Sequence, residues 1–229
     1  MRDPDLPVPF GPDDLSGKAA AKRRVLIHYG LPVDDAAVKR PLIGMISRMV
    51  DQKGLDLIAA VNDKLMAVDA TWVVLGTGEA RYQSMWTDTA VRHPDRAGVR
   101  IGFDESLAHL IEAGADMFLM PSRFEPSGLN QMYSLRYGTV PIVHGVGGLA
   151  DTVRDYSPRS TASTGFVFRE YTGEALLTAL ERALRVFADP VRWRLLQLAG
   201  MRQDNSWDRS AQEYVKIYRR AIMNAGTTT

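Results

Sequence analysis

Cysteine is absent from this 229-residue chain, which excludes disulfide frameworks, thiolate metal centres and cysteine nucleophiles. A reducing compartment suits such a sequence, and the cytoplasm is the expected location. Histidine is scarce, with four residues, so an imidazole-based metal site has little to draw on. Charge of one sign is missing too: 28 Lys and Arg oppose 27 Asp and Glu, for a net charge of +1. That balance gives no global field for holding nucleic acid or an anionic membrane, so any cationic site must be local. No apolar run reaches the ~20 residues of a membrane span. The opening Met1-Arg2-Asp3-Pro4-Asp5 also lacks the basic-then-apolar pattern of a secretory signal. With 45% hydrophobic and 24% charged residues, the composition is that of an ordered soluble domain, not of a low-complexity segment.

What is present begins with Pro4, Pro7, Pro9 and Pro12, which remove backbone donors and favour extended backbone. This stretch reads as a connector to something upstream. Asp13 and Asp14 then sit at the positive end of a predicted helix over 18–26, closed by Gly30. From Pro41 onward, short apolar runs alternate with segments of helical period, the signature of a parallel α/β sheet. Strands are predicted at 42–46, 71–75, 99–101, 117–120, 140–143 and 166–168. Pro141 places the fifth of these at an edge or delays its start. Helices are predicted between them, including 79–91, 104–113, 127–137 and 149–153. After Gly173 the chain reads as helical over 174–187, 190–202 and 206–223, with Asp189-Pro190 and Ser206 as start signals. In the last helix Trp207, Ala211, Tyr214, Val215, Tyr218 and Ile222 form an apolar stripe that must cover something. The expected fold is α/β, a Rossmann-like parallel sheet flanked by helices, with added C-terminal helices.

Ligands of open parallel sheets bind beyond the carboxyl ends of the strands, and those positions are chemically rich here. Arg48 and Lys53 follow the first strand, five residues apart, and could converge on a diphosphate; they also read as solvated surface charge. Gly76 and Gly78 follow the second strand and could admit a ligand close to the backbone or serve a tight turn. Phe103, after the third strand, could stack on a nucleobase or belong to the core. After the fourth strand, Glu125 precedes Ser127-Gly128-Leu129-Asn130 at a helix start. A carboxylate that accepts sugar hydroxyls would there adjoin amides that favour a phosphate, although Glu125 and Ser127 could equally be capping residues. His144, followed by Gly145, Gly147 and Gly148, reads as a loop contact, not a catalytic base.

Six ordered motifs carry a resemblance. Ser47-Arg48-x-x-x-Gln52-Lys53-Gly54-Leu55-Asp56, Leu75-Gly76-x-Gly78-Glu79 and Ala113-Gly114-Ala115-Asp116 are three of them. Pro121-Ser122-Arg123-Phe124-Glu125-Pro126-x-Gly128-Leu129-Asn130-Gln131, Tyr137-Gly138-Thr139-Val140-Pro141 and Gly147-Gly148-Leu149-Ala150-Asp151-Thr152-Val153 complete the set. In this order they closely resemble bacterial glycogen synthases and plant starch synthases. The resemblance implies the carboxyl-terminal half of a GT-B glycosyltransferase. Such an enzyme moves glucose from ADP-glucose, its substrate, to the non-reducing end of an α-1,4-glucan, with retention and with neither metal nor cofactor. It implies a catalytic set in which Arg48 and Lys53 hold the diphosphate and Glu125 grips glucose hydroxyls. The amides of Gly128 and Leu129 would meet phosphate or sugar, and Phe103 would lie against adenine where the family often has Tyr. Gly76, Gly78, Ser127, Asn130, His144 and Gly147 complete the implied substrate-binding set. Ser127 stands where members commonly carry Cys, and Tyr133 where wider GT-B relatives carry a second Glu.

The family's acceptor domain, with its Lys-Thr-Gly-Gly-Leu loop and cleft His, has no counterpart in this sequence. The division implied is a connector and helix over 1–40, a nucleotide-sugar-binding domain over 41–205, and a crossover helix and tail over 206–229. ADP or ADP-glucose would bind, with the glucan held by the missing half, so the chain alone would transfer little. Two alternatives stay open: a truncated or docking module whose nucleotide site is idle, and a related transferase using UDP-sugars.

Overall fold

The computed structural model describes residues 3–225. Helices α1 (Ser16–His28) and α2 (Asp35–Lys39) lead into strand β1 (Leu42–Ile46), a turn of 3-10 helix (Asp51–Lys53) and α3 (Leu55–Ala67). Next come β2 (Thr71–Gly76), α4 (Ala80–Arg92), β3 (Ala97–Ile101), α5 (Glu105–Gly114) and β4 (Met117–Met120). Then follow α6 (Asn130–Arg136), β5 (Val140–His144), α7 (Gly147–Thr152) and β6 (Phe166–Phe168). Helices α8 (Gly173–Phe187), α9 (Pro190–Met201) and α10 (Trp207–Ala225) close the chain. The strands form one sheet in the order β3-β2-β1-β4-β5-β6, and every pairing is parallel. The expected α/β, Rossmann-like sheet is therefore present, with its strand order reversing between β1 and β4.

Strand alternation divides the core in two. On one face Ile43, Met45, Trp72, Val74, Leu119 and Ile142 pack against α3, α4, α8 and α9. On the other, Leu42, Val73, Leu75, Phe118 and Val143 pack against α1 and α5. Helix α8 shows why such a segment is helical and which side it buries: Leu176, Ala179, Leu180 and Ala183 share one stripe, and Thr172 accepts the Ala175 N–H at its start. Leu6, Phe10 and Leu31 are buried with the second face, so part of the 1–40 segment contributes to the core. Among the described residues no helix is long and apolar enough to cross a membrane.

Several local expectations are corrected. Strand β5 is interior and starts at Val140, despite Pro141. The Val140 N–H reaches Asp116 O on the β4 side at 3.0 Å, so alternation turns position 141 toward β6. Pairing there begins only opposite Ile142, and the missing N–H costs no ladder bond. Strand β3 starts earlier than predicted, at Ala97. The helix expected over 127–137 begins at Asn130, because Gly128 is left-handed at φ +74; Leu129, not Ser127, occupies its cap position. Helix α7 starts at Gly147, and α2, capped by Asp34, had no counterpart among the predicted helices.

The start of α1 also differs: Leu15 is the cap residue and the first turn holds no acid. Asp14 instead accepts the Ser16 N–H at 2.9 Å. Two lysines of α1 point inward. Lys18 is 6% exposed and donates to Ala113 O (2.8 Å), Tyr137 O (3.3 Å) and Thr139 Oγ1 (2.6 Å). It thereby satisfies carbonyls at the ends of both α5 and α6; burial pushes its ammonium down to about 7. Lys22 bonds Asp116 at 2.6 Å, and Asp116 in turn accepts the Leu42 N–H at 2.8 Å. That relay ties α1 to the root of the sheet.

Candidate active site

The reversal between β1 and β4 leaves the loops at their carboxyl ends free to diverge, and a hollow of about 460 Å³ lies there. Ser47, Arg48 and Lys53 enter from the loop after β1, Gly76 and Thr77 from that after β2, and Gly102, Phe103 and Asp104 from that after β3. Pro121, Ser122, Glu125, Gly128, Leu129 and Asn130 enter from the loop after β4. Of the predicted site residues, Arg48, Lys53, Glu125, Gly76, Phe103, Gly128, Leu129 and Asn130 thus meet in one place. Gly78, Ser127, His144 and Gly147 are not part of the lining.

The charged groups are preset. Glu125, 7% exposed, forms an ion pair with Lys53 Nζ, and the Ser122 hydroxyl donates to the same carboxylate oxygen at 3.2 Å. Arg48 is exposed and donates to Gln52 Oε1 at 3.2 Å. Phe103 is 88% exposed: a bare ring at the rim beside Asp104, which caps α5 through the Leu107 N–H at 2.9 Å. Within the described residues the amides of Gly128 and Leu129 donate no hydrogen bond. The Asn130 side-chain amide is engaged, donating to Ile46 O at 3.1 Å. The hollow therefore offers cations, free N–H donors, an acceptor carboxylate and an aromatic face.

Loop packing holds these groups in register. A Cβ on Gly76 would lie 1.9 Å from Ser47 O, and one on Gly78 2.4 Å from Met49 O. The Met49 N–H donates to Thr77 O and the Glu79 N–H to Met49 O, each at 2.8 Å. Gly54, at φ +79, lies under Pro121 O, and Gly147 and Gly148 lie under Glu125 O and Ser127 O. Each of these glycines makes room for a neighbouring loop, and of them Gly76 also lines the hollow. A second clamp joins the same loops: the Arg123 N–H donates to Gln52 O at 2.9 Å, and its guanidinium bonds Asp56 at 2.6 Å. His144 sits behind the site, buried. Its Nδ1 lies 2.8 Å from Ser122 O, its Nε2 3.2 Å from Arg169 O, and its ring stacks on Phe168.

The sequence reading did not single out Thr77, Asp104 or Ser122 as site residues. Only their place directly after strand ends signals them, and small polar residues there are common in any loop. Among the described residues Asp3, Asp5 and His109 form the one group with metal-ligand spacing, and none of them lines the hollow.

Residues 33–193, more than half of the chain, match the sequence family described as Glycosyl transferases group 1. The chain belongs to this family. A protein named glycogen synthase from Anaeromyxobacter dehalogenans strain 2CP-1 is 56% identical over 218 residues, covering 95% of this chain and 45% of that relative. The chain thus spans about half the length of the curated relatives it matches. The catalytic domain of starch synthase IV from Arabidopsis thaliana, solved bound to ADP and acarbose, is 33% identical with a TM-score of 0.86, covering 97% of this chain and 46% of that one. The C-terminal domain of a group 1 glycosyl transferase from Francisella tularensis shares the fold at 16% identity, with a TM-score of 0.59 over 79% of this chain and 89% of that domain.

Proposed function

We propose that this chain is the donor-binding, carboxyl-terminal half of a glycogen synthase, taking ADP-glucose for retaining transfer of glucose to an α-1,4-glucan. The observation that carries the reading is the meeting of Arg48, Lys53 and Glu125 with the free amides of Gly128 and Leu129 in one hollow. The likeness to proteins named glycogen synthase supports it.

In transfer, the bond from glucose C1 to the diphosphate oxygen breaks as a bond from C1 to an acceptor hydroxyl oxygen forms, and that hydroxyl's proton passes to the departing diphosphate. Charge then grows on the departing diphosphate. Arg48 and Lys53 are placed to stabilise that charge, the work a metal ion does in other transferases, so no metal or cofactor is required. Glu125, held by Lys53 and Ser122, accepts hydroxyl hydrogen bonds and fixes the sugar's orientation. Phe103 stacks on the base. The glucan is held by an acceptor half outside this chain, with the apolar face of α10 as part of the junction. The cysteine-free composition accords with action in the cytoplasm.

Calorimetry with ADP tests the reading. The parent chain is expected to bind, and Arg48→Ala/Lys53→Ala to bind about a hundredfold more weakly, because two charge-assisted contacts are lost. A folded parent that gives no heat with ADP, or a double variant that binds as the parent does, overturns it. Competition by UDP decides between the ADP-linked and UDP-linked alternatives.

A further inference from the structure

A second cleft, of about 500 Å³, lies between the 154–163 loop and α9. That loop feeds the amino end of β6, so the cleft opens at the opposite end of the sheet from the donor hollow. The two share no lining residue. Its charge departs from that of the whole chain: Arg154, Arg159, Arg192 and Arg202 line it, with no aspartate or glutamate among the lining residues. Four cations facing one concavity, in a chain of net charge +1, is a local field with nothing inside the cleft to neutralise it.

The pairing of these arginines strengthens the point. Arg192 contacts Asp189, at the start of its own helix, at 3.2 Å, and Arg154 donates to the neutral Gln203 at 3.2 Å. The guanidinium groups of Arg159 and Arg202 have no hydrogen-bond or ion-pair partner within the described residues. The neighbouring carboxylate of Asp155 is taken up by Arg182 at 3.0 Å. Hydroxyls of Ser160 and Thr161 stand on the same loop, while Leu195, Leu196 and Ala199 of α9 give an apolar wall. Forked cationic donors match phosphate oxygens, and the apolar wall suits the carbon body of a small molecule.

We propose that this cleft is a second ligand site of the protein, binding a small molecule that carries one or more phosphate groups, independently of the donor hollow. Inorganic pyrophosphate is the probe, used with ADP saturating the hollow and, separately, on Arg48→Ala/Lys53→Ala. Amide shifts in an NMR titration are expected at residues 157–163 and 195–202. In calorimetry Arg159→Ala/Arg202→Ala should weaken pyrophosphate about tenfold and leave ADP affinity unchanged. Both replaced side chains are exposed and bond nothing in the fold, so the variant should melt with the parent.

Shifts confined to residues 47–53 and 125–130 overturn the proposal, as does pyrophosphate affinity equal in parent and variant. Identical shifts from sodium chloride at matched ionic strength also overturn it, since they would show screening and not a site. A failure of ADP binding would count against the donor reading alone, because the pyrophosphate response of the cleft is read with the hollow disabled.

Discussion

Glu125 faces two demands: it neutralises Lys53 in the resting hollow, and in the proposed donor complex it accepts hydrogen bonds from the sugar. Replacing it with Gln keeps its volume and removes its charge. ADP, which lacks the sugar, should bind Glu125→Gln at least as tightly as the parent, because a carboxylate near the diphosphate is gone. ADP-glucose should lose about tenfold of its affinity relative to ADP, the scale of a hydrogen bond to a charged group; parallel calorimetric titrations check both. Glu112 offers a pH test. It is 3% exposed, and burial pushes its carboxyl up to about 8. A raised value in the fold means that the native state binds this proton more tightly than the unfolded chain does. The contribution is therefore complete below about pH 4.5 and is lost as pH rises through about 8. Glu112→Gln should gain stability over the parent by a margin that widens between those limits, as urea denaturation at several pH values would show. That Arg48, Lys53, Glu125 and Phe103 gather at one end of the sheet was legible from their positions after strands, while residue type alone left surface-charge, core and capping readings open. The inward turn of Lys18 was not, because Lys18-Ala19-Ala20-Ala21-Lys22 in isolation does not show that its lysines meet carbonyls contributed by α5 and α6.

At the scale of elements, the site depends on loops that touch through glycine. Gly76→Ala would drive a Cβ into the Ser47 carbonyl, and Gly148→Ala would drive one into that of Ser127. Both obstacles are backbone, so each change is expected to cost about 2–3 kcal/mol in chemical denaturation and to weaken ADP binding by displacing a site loop. Gly128→Ala should cost less, about 1–2 kcal/mol, from its left-handed conformation. The group it approaches is a side-chain end, that of buried Gln131, and not backbone. The strand pattern was readable along the chain because parallel strands are continuous apolar runs. The edge placement of β5 was misjudged, since which side of a strand a proline faces depends on its register with both neighbours, and register is a property of the sheet.

For the whole molecule, the described side chains of α10 are exposed throughout, with Trp207 at 88% and Tyr218 at 64%. An apolar stripe of that size marks a surface meant to be covered. Since α10 adds nothing to either core cluster, removing residues 206–229 should leave the melting temperature within a few degrees of the parent and reduce binding of a hydrophobic dye. The isolated chain should bind ADP yet elongate no glucan, as incorporation of labelled glucose would show, because one reactant's site cannot supply the proximity of two. The sequence by itself determined the α/β class, the order of the six strands, and the residues that follow each strand, since all of these follow from local periodicity and turn chemistry. Only the tertiary structure decided that Lys53 and Glu125 meet across 72 positions, that Gly78 and Gly147 serve neighbouring loops, and that four arginines share a cleft. Contacts between segments distant along the chain are set by how the sheet stacks its loops, and local sequence holds no record of that distance.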